Sequence, residues 1–313
     1  MAEKASMRAA YGQALATYGA QNGRVVVLDA DVSASTQSVL FAKAFPDRFF
    51  NVGVAEAGMV DVAVGLALAG KIPFVNTFAF LLALRAAEQI RTCVAYSRTN
   101  VKLAGSYGGL SDAFDGPTHH SICDVAVMRA MPNLSVLVAS DAVEVARLVP
   151  AVGEFDGPVY LRVSRADVPT VFPEDHKVHI GRGNLLRKGT DVTLVATGVM
   201  VHRALLAADR LEASGVRTRL ISLHTIKPLD NELILQAAAE TGALVTVEEH
   251  SIVGGLGGAV AEMLSGERPV PVIRVGLQDT FAESGPYDAL LDRYGMSVDD
   301  IVAAAHKAAS LKH

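Results

Sequence analysis

The stretch Phe49-Phe50-Asn51-Val52-Gly53-Val54-Ala55-Glu56-Ala57-Gly58-Met59 passes from a strand pattern over residues 49–54 into a helix pattern that stays nearly all apolar over residues 55–69. Gly70-Lys71 then turns the chain into a second strand over residues 72–78. Working outward, residues 8–18 read as a helix and residues 24–28 as a β-branched strand ending in the acidic turn Asp29-Ala30-Asp31. A helix over 82–94 and strands over 101–105, 134–139 and 159–163 continue the alternation. Alternating β and α elements specify an α/β fold, a doubly wound, mainly parallel sheet covered by helices on both faces.

Between Asp167 and Thr190 the periodicity fails, and Pro169, Pro173, His176, Gly181 and Gly183 mark a connection. A smaller α/β unit follows, with strands over 192–196, 218–223, 243–248 and 272–275 and helices over 201–213 and 260–264. The expected division is therefore 1–172, a linker over 173–188, and 189–313. A length of 313 residues, half of them apolar, suits two such domains. A net charge of -5 without basic clusters argues against a nucleic-acid surface and favours a small-molecule substrate.

Cys93 and Cys123 are too few for a disulfide framework, which points to a reducing cytoplasm. The opening Met1-Ala2-Glu3-Lys4-Ala5 lacks the apolar core of a signal peptide, and the apolar run over 72–84 is too short to span a bilayer. No close Cys/His spacing suggests a metal site.

Glu56 is an acid at the first turn of an otherwise apolar helix, and two roles fit it. It favours the helix dipole, a contribution of a few tenths to ~1 kcal/mol, or it is a carboxyl whose pKa an apolar pocket raises, so that it shares a proton with a ligand nitrogen.

The run Phe45-Pro46-Asp47-Arg48-Phe49-Phe50-Asn51-Val52-Gly53-Val54-Ala55-Glu56, with Gly65-Leu66-Ala67 and Gly70-Lys71-Ile72-Pro73, resembles the pyrimidine-binding domain of transketolases and deoxyxylulose phosphate synthases. Asp115-Gly116-Pro117-Thr118-His119 is similar to their substrate loop, and Ser164-Arg165-Ala166-Asp167-Val168-Pro169 to their Ser-Arg-x-x-x-Pro stretch. Thr225-Ile226-Lys227-Pro228-Leu229-Asp230, Glu249-His250 with Gly254-Gly255-Leu256-Gly257, and Phe281-Ala282-Glu283-Ser284-Gly285 resemble the C-terminal domain of the same proteins.

The resemblance implies thiamine-diphosphate-dependent transfer of a two-carbon ketol unit from a ketose, phosphorylated in the usual members, to an aldehyde. Glu56 would hydrogen-bond the aminopyrimidine N1′, Asp31 would support the cofactor region, and Phe78 and Phe80 would wall the ring. His119 would contact the donor, Asp115 a sugar hydroxyl and Arg165 the phosphate, with Tyr107 lining the substrate side. Each has an ordinary alternative: a turn acid, core phenylalanines, a solvated loop histidine, a surface arginine.

Three departures stand out. Ala57-Gly58 follows the glutamate where the family usually has Gln and then Asn or His, Tyr107 takes the place of a substrate histidine, and Leu81 stands where the family has its second aromatic.

No Gly-Asp-Gly occurs, the usual start of the site for Mg²⁺ and diphosphate. The resemblance therefore implies a separate N-terminal subunit that holds both, in an α2β2 heterotetramer. Gly255-Leu256-Gly257-Gly258-Ala259-Val260 has two glycines of a dinucleotide fingerprint but Val260 in place of the third, which argues against NAD. Two other readings stay open: the beta subunit of a 2-oxo acid dehydrogenase decarboxylase, supported by Ala55-Glu56 and Gln89-Ile90, and a non-catalytic transketolase-like partner.

Overall fold

A computed structural model describes residues 4–312, so Met1 to Glu3 of the N-terminal stretch read above fall outside it. The strands in chain order are β1 Lys4–Ser6, β2 Val25–Asp29, β3 Phe49–Asn51, β4 Ile72–Phe78, β5 Lys102–Ser106, β6 Ser135–Val138 and β7 Val159–Val163. They continue as β8 Asp167–Pro169, β9 Asn184–Arg187, β10 Val192–Ala196, β11 Thr218–Ser222, β12 Thr225–Lys227, β13 Leu244–Ser251 and β14 Val272–Leu277.

A seven-stranded sheet has the order β12-β6-β7-β5-β4-β2-β3, and a five-stranded sheet the order β14-β13-β10-β11-β9. Pairing is parallel throughout except at the edge strands β12 and β9. β1 and β8 form a separate antiparallel pair.

Successive strand residues point to opposite faces, so an apolar run such as Val25-Val26-Val27-Leu28 needs cover on both sides. Val25, Val27 and Phe74 join one core with Tyr11 and Leu15 of the helix Met7–Gln21. Leu28 and Val75 join the other with Met59, Val60 and Ala63 of the helix Glu56–Leu68. Each fully buried Val or Leu contributes roughly 1.5–3 kcal/mol relative to exposure.

Some expectations are corrected. β3 stops at Asn51, because Gly53 adopts φ +72° and the Asn51 side chain accepts its N–H, turning the chain before the helix. The expected helix over 82–94 is three pieces, Ala79–Arg85, Ala87–Gln89 and a π-helical Ile90–Tyr96. The connection over 173–188 contains β9, which pairs with β11 as an edge of the second sheet. The helix expected over 260–264 spans Leu256–Glu267. β12, not evident in the sequence, crosses back to pair with β6, so a strand from the second half finishes the first sheet.

The helix Met7–Gln21 packs closely because it carries glycines. A Cβ on Gly12 would lie 2.3 Å from the Gln37 carbonyl oxygen, and one on Gly19 would lie 2.3 Å from the Phe41 ring. Alanine is the better helix former by ~1 kcal/mol, yet at Gly12 it meets backbone that has no room to move. Gly12→Ala is expected to destabilise the chain by about 1–3 kcal/mol, read as a lower urea midpoint at unchanged slope; a rise in the midpoint would show that the helix has slack at this contact.

Candidate active site

The residues singled out by sequence gather at the carboxyl ends of parallel strands, the edge where open α/β sheets bind ligands. Asp31 follows β2, Glu56 opens the helix after β3, Phe78 ends β4, Tyr107 follows β5 and Arg165 follows β7.

Glu56 is 3% exposed in the first turn of its helix. The apolar pocket expected around it is corrected: Arg85 Nη1 stands 3.4 Å from both carboxylate oxygens. Arg85 is more than half exposed, so it screens the carboxylate from the open side without sealing it. Gly58, two residues along, has open space where a Cβ would go.

Asp31 is exposed at φ +65°, and Asn51 Nδ2 donates to its Oδ1 at 2.8 Å. The neighbour Asp29 organises the loop. Buried, it accepts from Val32 N at 2.6 Å, Thr36 Oγ1 at 3.0 Å and Ser38 Oγ at 2.9 Å. Burial raises its carboxyl above the usual range, and those donors offset part of that rise.

Phe78 and Phe80 do face the loop that carries Tyr107 and His119. The Phe78 and Tyr107 rings are 4.3 Å apart and the Phe80 and His119 rings 5.2 Å apart. His119 Nδ1 is 2.9 Å from Thr118 Oγ1.

Tyr107 is 5% exposed at φ +64°, a strained setting for a bulky residue. Its hydroxyl accepts from Arg8 Nη1 at 3.1 Å. The guanidinium carbons of Arg8 and Arg165 lie 5.1 and 5.2 Å from its ring centre. Arg165 donates to Asp112 Oδ1 at 2.7 Å and stands 4.0 Å from Asp115. Two guanidiniums thus lie against one aromatic ring, each a planar fork of donors.

Arg8, Asp112 and Arg85 were not singled out by sequence. Arg8 sits within an ordinary helical pattern and Arg85 at an ordinary helix end, and neither carries a local signal. Asp112 stands three residues before Asp115, a pairing of acids that is the one visible hint. His120 is also buried, and that burial holds its pKa below the usual value.

Among the described residues no group of three or more His, Cys, Asp or Glu side chains is placed to hold a metal ion. At Gly255-Leu256-Gly257 the helix N-terminus is filled from within: Glu248 accepts from Leu256 N and Gly257 N, each at 2.7 Å.

The family model described as the transketolase pyrimidine-binding domain matches residues 3–170, and that described as the transketolase C-terminal domain matches residues 181–301. The chain is 41% identical to the 6-deoxy-6-sulfo-D-fructose transketolase subunit of Clostridium sp. strain MSTE9, over 98% of this chain and 95% of that one. It is 38% identical to an apulose-4-phosphate transketolase subunit of Phocaeicola vulgatus, over 95% and 96%. A solved structure titled as a split-gene transketolase, inactive beta4 tetramer, is 49% identical over 98% of this chain and 99% of that one, with a TM-score of 0.93.

Burial, reinforced by Asp115, pushes Asp112 up to about 7 against the pull of Arg165. Its folded pKa lies above the unfolded value of ~3.9, so its contribution is greatest at low pH and declines as pH rises from about 4 to about 7. Asp112→Asn mimics the protonated form and escapes that decline. Melting temperatures measured side by side are expected to move in the variant's favour between pH 5 and pH 8, and a difference that stays constant would show that Asp112 is ionised at both.

Proposed function

This chain belongs to the transketolase family, and on that premise we propose that it is one subunit of a two-chain transketolase that moves a two-carbon ketol unit from a ketose to an aldehyde. The observation that carries the reading is Glu56. It is a nearly buried carboxyl at a helix N-terminus, on the sheet edge where the Phe78 and Phe80 rings meet the Tyr107 and His119 loop.

This donor set fits the aminopyrimidine of thiamine diphosphate. Glu56 would take the ring nitrogen N1′, Phe78 and Phe80 would lie against the ring, and Asp31 would support the loop beneath. The bound cofactor supplies the nucleophilic carbon that accepts the ketol unit. Within this chain, Glu56 holds the proton at N1′, His119 and Asp115 orient the donor hydroxyls, and Tyr107 closes the pocket beside them.

Arg8 and Arg165 would grip the anionic end of the sugar. The two relatives above carry a sulfo sugar and a sugar phosphate in their names, which agrees with an anion at that place. Mg²⁺ and the diphosphate fall to an N-terminal partner subunit, in an α2β2 heterotetramer. Val54, Val62, Leu68, Leu84, Tyr96 and Phe114 are exposed apolar side chains that a partner could cover.

The first domain is kept at 1–172 as part of the reading, and the start of the second moves back from 189 to take in β9, residues 184–187. A cytoplasmic setting fits Cys93 and Cys123, which are unpaired, and among the described residues no helix is long and apolar enough to cross a membrane.

Two experiments test the proposal. Mixed with a partner chain that carries the diphosphate-binding domain, thiamine diphosphate and Mg²⁺, the chain should release aldehyde from a ketose donor; the rigorously isolated chain should not, and activity without a partner would overturn the two-chain reading. In the assembled enzyme Glu56→Gln should slow C2 proton exchange of bound thiamine diphosphate by ~100- to 10,000-fold. The fold should survive, with a loss near ~1 kcal/mol of helix-dipole interaction. Exchange within a few-fold of the parent, in a variant that still binds cofactor, would reduce Glu56 to a capping acid.

A further inference from the structure

Among the contacts of the second domain with the 107–121 loop is a buried carboxylate. Glu249 in β13 is 3% exposed, and its Oε1 accepts the Leu110 N–H at 2.7 Å. The residue before, Gly109, adopts φ +65°, and a Cβ there would lie 2.3 Å from the Glu249 carboxyl carbon. Only glycine leaves space for the carboxylate to reach the next amide.

The loop is closed at its neck by the mutual bonds of Gly109 and Ser121, at 3.0 and 2.9 Å. Arg162 Nη2 ties that neck to β13, donating to Ser121 O at 3.1 Å and to Glu249 O at 2.9 Å. Farther along, Gly285 N donates to Ala113 O at 3.2 Å, and Gly116 is packed so tightly on Ser284 that a Cβ would fall 2.4 Å from its hydroxyl. Asp112, Asp115 and His119 all hang between these fastenings.

We propose that Glu249 is a positioning residue: through Leu110 it fixes the 107–121 loop, so that the second domain sets where Tyr107, Asp115 and His119 meet the donor sugar. What the loop binds rests on the transketolase reading, whereas the clamp rests on the contacts alone. The charged or titratable neighbours of Glu249 are Arg162, Asp124 and Tyr287. Glu249→Ala also removes the negative charge beside Arg162, which Glu249→Gln removes equally while it keeps the acceptor, so the comparison of the two isolates the Leu110 bond.

The test compares Glu249→Ala with Glu249→Gln in the full chain. Removing a hydrogen bond to a charged group corresponds to about 10-fold or more in local opening. Amide hydrogen exchange over 108–121 should accelerate by that factor in Glu249→Ala, stay unchanged over β10 and β11, and return near the parent rate in Glu249→Gln, whose amide oxygen still accepts. Glu249→Met fills the same space without an acceptor and replaces the alanine variant if that fails to fold.

In the assembled enzyme, with xylulose 5-phosphate as the donor probe, Glu249→Ala should raise KM about tenfold and change kcat less. Loop exchange that does not change, or that accelerates equally across the second sheet, would overturn the clamp. A loosened loop with an unchanged KM would overturn the positioning role. If the parent assembly turns over no ketose, the transketolase reading fails, and the exchange data alone decide the clamp.

Discussion

The guanidinium of Arg162 is the interaction on which the two halves depend. It is buried in β7, where an unpaired charge costs several kcal/mol. Its donors are taken up by Asp124 Oδ2 at 2.9 Å and by the carbonyls of Ser121 and Glu249. Burial works against its charge, and Asp124 and Glu249 more than restore it. Tyr160 donates to the same Asp124 oxygen at 2.6 Å, so a strand, a helix start, the loop neck and the second sheet share one charge. Losing either member of such a pair strands the other.

That constraint gives physical sense to Tyr107, where the family pattern has a histidine. An imidazolium between two guanidiniums would face repulsion from both sides. A phenol ring offers its negative face to each cation, and its hydroxyl accepts from Arg8. With tyrosine at this position both guanidiniums lie against an aromatic ring. The tyrosine also places a bulky wall beside Phe78 and narrows the space on that side of the loop.

How much of this was legible in the sequence depended on range. The parallel sheet was readable because buried strands such as 24–28 and 192–196 are continuous β-branched runs with helices between them. β9 and β12 were not, since strands of three or four residues owe their existence to a neighbour rather than to a pattern. Glu56 was legible through contrast, one acid on an apolar helix, while its partner Arg85 looked like any helix-end cation. The acidic turn at the end of β2 is legible, but which of its acids ties the loop together is not: Asp29 does so from a buried position, and burial is not written in a three-residue turn. Arg8 is 99 residues from Tyr107, a separation that no local signal spans.

The same point explains the pair Glu248-Glu249. Adjacent residues of a strand point to opposite faces, so two identical side chains meet different surroundings. Glu248 turns to the N-terminus of the helix Leu256–Glu267, where two N–H groups and the positive end of the helix dipole receive it. Burial pushes its carboxyl up to about 7, and the two amides partly offset this. It fills the place that a ligand phosphate would take in a dinucleotide-binding fold, so the glycines at 255 and 257 serve packing: a Cβ on Gly255 would fall 2.0 Å from Glu248 Oε2. Glu249 turns the other way, across the boundary between the halves, to the Leu110 amide. A one-residue slip of β13 would exchange these faces, withdrawing the helix cap and the loop clamp together. β13 runs in register with β10 and β14 as far as Val247, and its pairing with β14 shifts between Val247 and Ser251, the stretch from which the two glutamates reach the helix cap and the 107–121 loop.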